Sequence, residues 1–136
     1  MKTQVTHLAQ IITVRFDADD DLLLCLREAV AQHGIKNGLF IGGIGSVHHY
    51  HVHVVDTSTL PVRDAFIKGE APLDILSVTG AVMNGRMHAQ LAFTGTGLTM
   101  GGHLEEGNLA LTFAQVYILN LPDADLSDWD RSGTLA

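Results

Sequence analysis

The chain is 136 residues long, 46% hydrophobic and 17% charged, with a formal net charge of −7. That composition describes one packed domain and excludes a disordered chain, and no apolar run approaches the roughly 20 residues of a membrane helix. The eight Lys and Arg residues lie singly along the sequence, so direct DNA binding, which needs clustered cations to displace counterions, is not expected. The first residues, Met-Lys-Thr-Gln-Val-Thr-His, lack the apolar core of a signal peptide, and the lone Cys25 cannot form an intramolecular disulfide. Together they predict a cytoplasmic protein.

Residues 10–16 read as a first strand. The run Asp17-Ala-Asp-Asp-Asp then supplies an N-cap and an acidic first turn for a long early helix reaching about His33. Leu22, Leu23, Leu26, Ala29 and Val30 form its apolar stripe, Cys25 sits among them as a small buried hydrophobe, and Gly34 is the natural stop. Residues 35–45 read as a turn and a second strand. Gly42-Gly43-Ile44-Gly45 is followed by strand-like sequence rather than a helix start, which argues against a phosphate loop. Residues 47–56 give a further strand, residues 72–82 another, and residues 109–119 the last. After Pro122 the chain turns polar and acidic, with Trp129 as its anchor, so residues 1–122 read as the domain and 123–136 as a tail, mobile or packed on a neighbouring subunit. The fold class is α+β, a largely antiparallel sheet with one long helix packed on it.

Between residues 83 and 107 lies a hairpin. Residues 86–93 alternate, placing Met87, Ala89, Leu91 and Phe93 on one face and Arg86, His88, Gln90 and Ala92 on the other. A two-residue turn centred on Gly95-Thr96 pairs His88 directly with His103, with Cβ atoms roughly 5 Å apart, close enough to share a metal ion or a small ligand. A one-residue slip would destroy that pairing. Four more histidines fall in His48-His49-Tyr50-His51-Val52-His53, where His49, His51 and His53 share a strand face. They serve either as a polar contact surface that titrates near neutral pH or as contributors to the site. No nucleophile–base motif stands out, so whether there is catalysis is open.

Several segments, in order, resemble the plants-and-prokaryotes-conserved (PPC) domain family. They are Asp19-Asp20-Asp21-Leu22, then Ile41-Gly42-Gly43-Ile44-Gly45-Ser46, then Pro72-Leu73-Asp74-Ile75-Leu76-Ser77-Val78-Thr79-Gly80. Asn84-Gly85 with His88-Ala89-Gln90 follows, and last Gly101-Gly102-His103-Leu104-Glu105-Glu106-Gly107. The resemblance implies a homotrimer with a central antiparallel sheet. It also implies a site built on three histidines of an H-x-H…G-G-H pattern, which holds zinc in some prokaryotic relatives. Here His88 and His103 match two of them and Gln90 replaces the third. A third ligand would come from Gln90, or from His49, His51 or His53, or from a neighbouring chain. Gly85, Gly101 and Gly102 would shape the pocket, with Glu105 or Glu106 as supporting partner or general base. The family is often labelled DNA-binding, a label that comes from plant members with a separate Arg-Gly-Arg-Pro hook, a sequence not found in this chain. Three functions are therefore in contention: a trimer binding a metal or small ligand, a DNA-linked regulator, and a pure assembly module.

Overall fold

The computed structural model describes residues 1–8 and 10–131. In chain order the elements are β1 (Gln10–Asp17), α1 (Leu22–Gln32), β2 (Gly38–Val55), β3 (Asp64–Met83), β4 (Arg86–Thr94), β5 (Thr99–Leu104) and β6 (Leu109–Asn120). Every pairing among these strands is antiparallel, in the order β1-β6-β2-β3-β4-β5. β5 also reaches the far end of β2, pairing Val52 with Leu104 and His53 with His103, so that β2, β3, β4 and β5 close on themselves. This closure brings distant histidines together.

The helix is shorter than expected, at 11 residues. β1 stays in register with β6 out to Asp17↔Phe113, and Asp21 bridges to Leu109, so the chain cannot turn helical before Leu22. Asp21 is the N-cap, its side chain accepting the Leu24 N–H at 3.1 Å, and the expected acidic first turn is absent. At the other end Ile35 N–H donates to the Val30 carbonyl and Gly34 N–H to that of Ala31, the paired bonds of a Schellman motif. Leu22, Leu23, Leu26, Ala29 and Val30 are buried, as their spacing implied. Cys25 is only half-buried, and that burial, with nearby Asp20, Glu28 and Asp21, pushes its thiol up, away from the reactive thiolate.

One pair of expected strands is in fact a single long one, and another expected strand is longer than its sequence implied. Residues 38–55 run as one strand through irregularities at Phe40/Gly42, Gly45/Val47 and Val47/His49. The stretch 64–71, read as no strand at all, joins 72–83 through Pro72. Pro72 lies where the β2–β3 register shifts, so its missing N–H breaks no ladder bond. Beneath the helix Phe16, Leu26, Val47, Val52, Leu91, Phe93, Val116 and Ile118 make a core that is 0–1% exposed. At roughly 1.5–3 kcal/mol per large apolar side chain, this layer dominates the stability of the sheet. The sheet surface turned away from the core carries Ile11, Leu39, Ile41, Ile44, Leu76, Leu111 and Phe113, from 37% exposed at Phe113 to 58% at Ile11.

The acidic segment after Leu121 packs on its own chain. Buried Asn37 donates to the Ala124 carbonyl at 2.9 Å and accepts from the Asn84 and Leu126 N–H groups, while Gln4 exchanges two bonds with Asp125. Trp129, the expected anchor, is 36% exposed. Residues 132–136 of the tail lie outside the described residues. No helix among the described residues is long and apolar enough to cross a membrane.

Candidate functional site

His103 stands at the centre of the site because β5 lies between β4 and β2. The position before it has to be glycine: a Cβ on Gly102 would come 2.7 Å from the His53 carbonyl and 3.1 Å from Val52 Cβ, so any side chain would push β5 off β2. With Gly102 in place, His53 and His103 are direct cross-strand partners and their ring centroids are 4.5 Å apart. On the other edge of β5, Gln90 is the partner of His103.

The hairpin register therefore differs from the expected one. β4 and β5 pair as Thr94↔Thr99, Phe93↔Met100 and Leu91↔Gly102, around a four-residue turn closed by Gly95 N–H on the Leu98 carbonyl at 2.7 Å and by the Thr94 and Thr99 hydroxyls at 2.6 Å. The slip is two residues, so every side chain keeps its face. His88 ends up diagonal to His103 rather than opposite, with ring centroids 6.1 Å apart. Three imidazoles from three strands, His53, His88 and His103, thus share one patch.

The other histidines do not join them. A register shift at Val47/His49 turns His48 and His49 toward each other, with Nδ1 atoms 2.7 Å apart, and each has its own carboxylate, Asp19 for His48 and Glu70 for His49. His51 Nδ1 lies 2.8 Å from the Glu106 carbonyl. Of the three residues expected to supply a further ligand from this strand, His53 alone reaches the site.

Carboxylates line the patch. Glu105 lies 2.5 Å from His53 Nδ1, with Asp64 3.8 Å from its Nε2, so Glu105 is the supporting residue. Glu106 points away to Arg27, at 2.7 Å. His88 Nε2 is 2.8 Å from Asp130, which also takes two bonds from Arg86. Burial, with lesser contributions from His53 and His88, lowers the affinity of His103 for a proton; Glu105 and Asp64 oppose the shift without cancelling it. His103 is therefore neutral at pH 7, with a lone pair available to a ligand or proton.

His103 also lies at the junction of two depressions. One, about 690 Å³, runs between α1 and β4, with Gly85 and Glu105 on its wall; the other, about 540 Å³, is bounded by His53, Gln90, Gly101 and Gly102. Asn108, wholly buried, donates to the His51 and Glu105 carbonyls at 2.7 and 2.8 Å and accepts from the His51 N–H. This amide fixes the approach of β2 to the loop after β5, and each partner orphaned by its loss would cost about 1–3 kcal/mol. The sequence held one signal for it, a polar residue following Gly107 at the start of an apolar strand. Asp130 gave no local signal at all.

The donor types in the patch suit zinc. Their arrangement does not: among the described residues no three His, Cys, Asp or Glu side chains stand together as a ready metal-holding set. On the β4 side the group facing His103 is an amide, Gln90, and His53 and His88 are engaged with carboxylates.

A family model, the Plants and Prokaryotes Conserved (PCC) domain, matches residues 4–122. The chain belongs to this family. Solved structures share the PCC fold. A hypothetical protein from Salmonella enterica has a TM-score of 0.76 at 18% identity, over 88% of this chain and 82% of that one. A metal-containing protein from Archaeoglobus fulgidus has 0.74 at 23%, over 89% and 86%. A plant- and prokaryote-conserved protein from Pyrococcus horikoshii has 0.72 at 18%, over 92% and 87%. No curated protein matches the chain.

Proposed function

We propose that this PCC-domain protein is a homotrimer whose His53/His88/His103 patch binds a small ligand or a metal ion, zinc being the metal its nitrogen and oxygen donors suit. The observation that carries the reading is the convergence of three imidazoles from β2, β4 and β5 around a neutral, partly buried His103. The metal-containing relative from Archaeoglobus fulgidus supports it. The trimer reading is supported by the apolar sheet face, a surface that a monomer would leave wet.

Direct DNA binding is not part of the proposal. Net charge is −7, and all five arginines are paired with carboxylates: Arg15 with Asp17, Arg27 with Glu106, Arg63 with Asp56, Arg86 with Asp130 and Arg131 with Asp128. A second reading, of histidines that serve only as packing contacts in an assembly module, is favoured by the carboxylates already seated on His53 and His88.

Calorimetric titration with Zn²⁺ separates the two. Binding of about one ion per chain is expected, with a Kd weaker than about 1 μM because the set is not preformed, and it is lost in His103→Ala. A heat signal that does not saturate, or one unchanged in the variant, would leave the packing reading in possession.

A further inference from the structure

One edge of the histidine patch is closed by the chain itself. Arg86 Nε and Nη2 donate to the two carboxylate oxygens of Asp130 at 2.7 and 2.8 Å, and His88 Nε2 lies 2.8 Å from Oδ2 of the same group. A planar guanidinium fork closed on both oxygens, with an imidazole added on one, is a geometry that recognises a carboxylate rather than any point charge. Asp130 is held there firmly: its side chain is 13% exposed, and the Arg86 hydrogen bonds, with that of His88 second, hold its carboxyl far below the usual carboxylate range.

Of the fork, Arg86 also borders a groove with a different character, whereas His88 and Asp130 are not on its lining. Arg86 lies on the wall of the 690 Å³ depression, whose apolar surface comes from Leu23, Val30, Ile35, Met87 and Leu104. Lys36 and Arg27 are also on that wall, Arg27 with its guanidinium on Glu106, so three of the chain's eight basic residues line one depression in a protein of net charge −7. Glu105, the carboxylate on the lining, is turned to His53. An acid with an apolar body fits both halves: the carboxylate on the fork, the body along the groove.

Asp130 is not part of the sheet. It sits at the end of a segment that leaves the fold after Leu121 and is tied back through Asn37 and Gln4. A group tethered in this way competes at an effective concentration on the order of millimolar, which a modest ligand can overcome.

We propose that Arg86 and His88 form a carboxylate-binding fork for a small organic acid, and that Asp130 is an internal occupant which the acid displaces. This gives the site described above a ligand class and rests on its being a ligand site. The probe is hexanoate, titrated by calorimetry and by amide chemical shifts into the full chain. In Asp130→Asn the affinity for hexanoate is expected to rise roughly tenfold or more over the unaltered chain, the reach of a millimolar-range tethered competitor, and acetate should bind more weakly than hexanoate.

Asp128→Asn removes the same charge two residues away without touching the fork, and should change nothing. Adding Arg86→Lys to Asp130→Asn keeps the cation but removes the fork, and should abolish the gain. Equal affinity in the unaltered chain and Asp130→Asn, an equal gain in Asp128→Asn, or retained binding in Arg86→Lys would each overturn the proposal. The zinc titration with His103→Ala does not depend on Arg86. A failure of the fork with zinc binding intact is thus distinguishable from a failure of the histidine site itself.

Discussion

Replacing Gln90 with histidine is expected to tighten zinc binding by roughly two orders of magnitude, the upper end of what the supporting partners of a metal ligand contribute. Gln90 is the cross-strand partner of His103 and lies two residues from His88 on the same face of β4. An imidazole there would stand opposite His103, where directly facing side chains have Cβ atoms roughly 4.5–5.5 Å apart. A neutral amide is a poor zinc donor and an imidazole a good one. The substitution should cost little stability, because Gln90 is exposed on the outer face of the strand. Competition with a chromophoric zinc chelator measures the change. An affinity unmoved in Gln90→His would mean that His88 and His103 cannot turn toward a common ion.

Gly80→Ala is expected to have the largest effect on the fold. Gly80 has φ +135°, a region that L side chains rarely adopt, and a Cβ there would lie 1.8 Å from the His88 carbonyl oxygen and 2.9 Å from its carbon. Backbone strain of about 1–3 kcal/mol adds to overpacking of about 1–3 kcal/mol or more. Together they would lower the melting temperature by roughly 10 °C or more. The clash falls on the backbone of His88, so this glycine also sets where a site histidine emerges. Gly97→Ala is the matched control: nothing lies within 4 Å of its Cβ position, and no appreciable change is expected. A melting temperature in Gly80→Ala close to that of Gly97→Ala would show that β3 and β4 can separate at this point without penalty.

Much of the architecture was legible from periodicity. The alternation of residues 86–93 put Leu91 and Phe93 in the core and His88 and Gln90 outside, and both placements hold. The register did not follow, because a period of two fixes the face of a strand and not its partner. Residues 35–45 and 47–56 read as separate strands with the glycines in 42–45 at their junction, and Pro72 read as a strand start. These glycines and Pro72 are places where the ladder bends or shifts while pairing continues, and a single strand cannot show that. Choosing His53 over His49 and His51 required the shift at Val47/His49 and the closure of β5 onto β2, both of them tertiary events. The docking of Asp130 on Arg86 and His88, 44 and 42 residues away in sequence, left no mark in the local pattern at all.

The proposed site requires that His53, His88 and His103 act on one ligand. Histidine-selective nitrogen–proton NMR during a Zn²⁺ titration tests it most directly, since each ring nitrogen reports for itself. A shared site moves the ring signals of these three residues together, with one binding constant. Those of His7 and His33, away from the patch, should stay where they are. Movement of His88 or His103 without the others, or equal drift of all eight histidines, would contradict it.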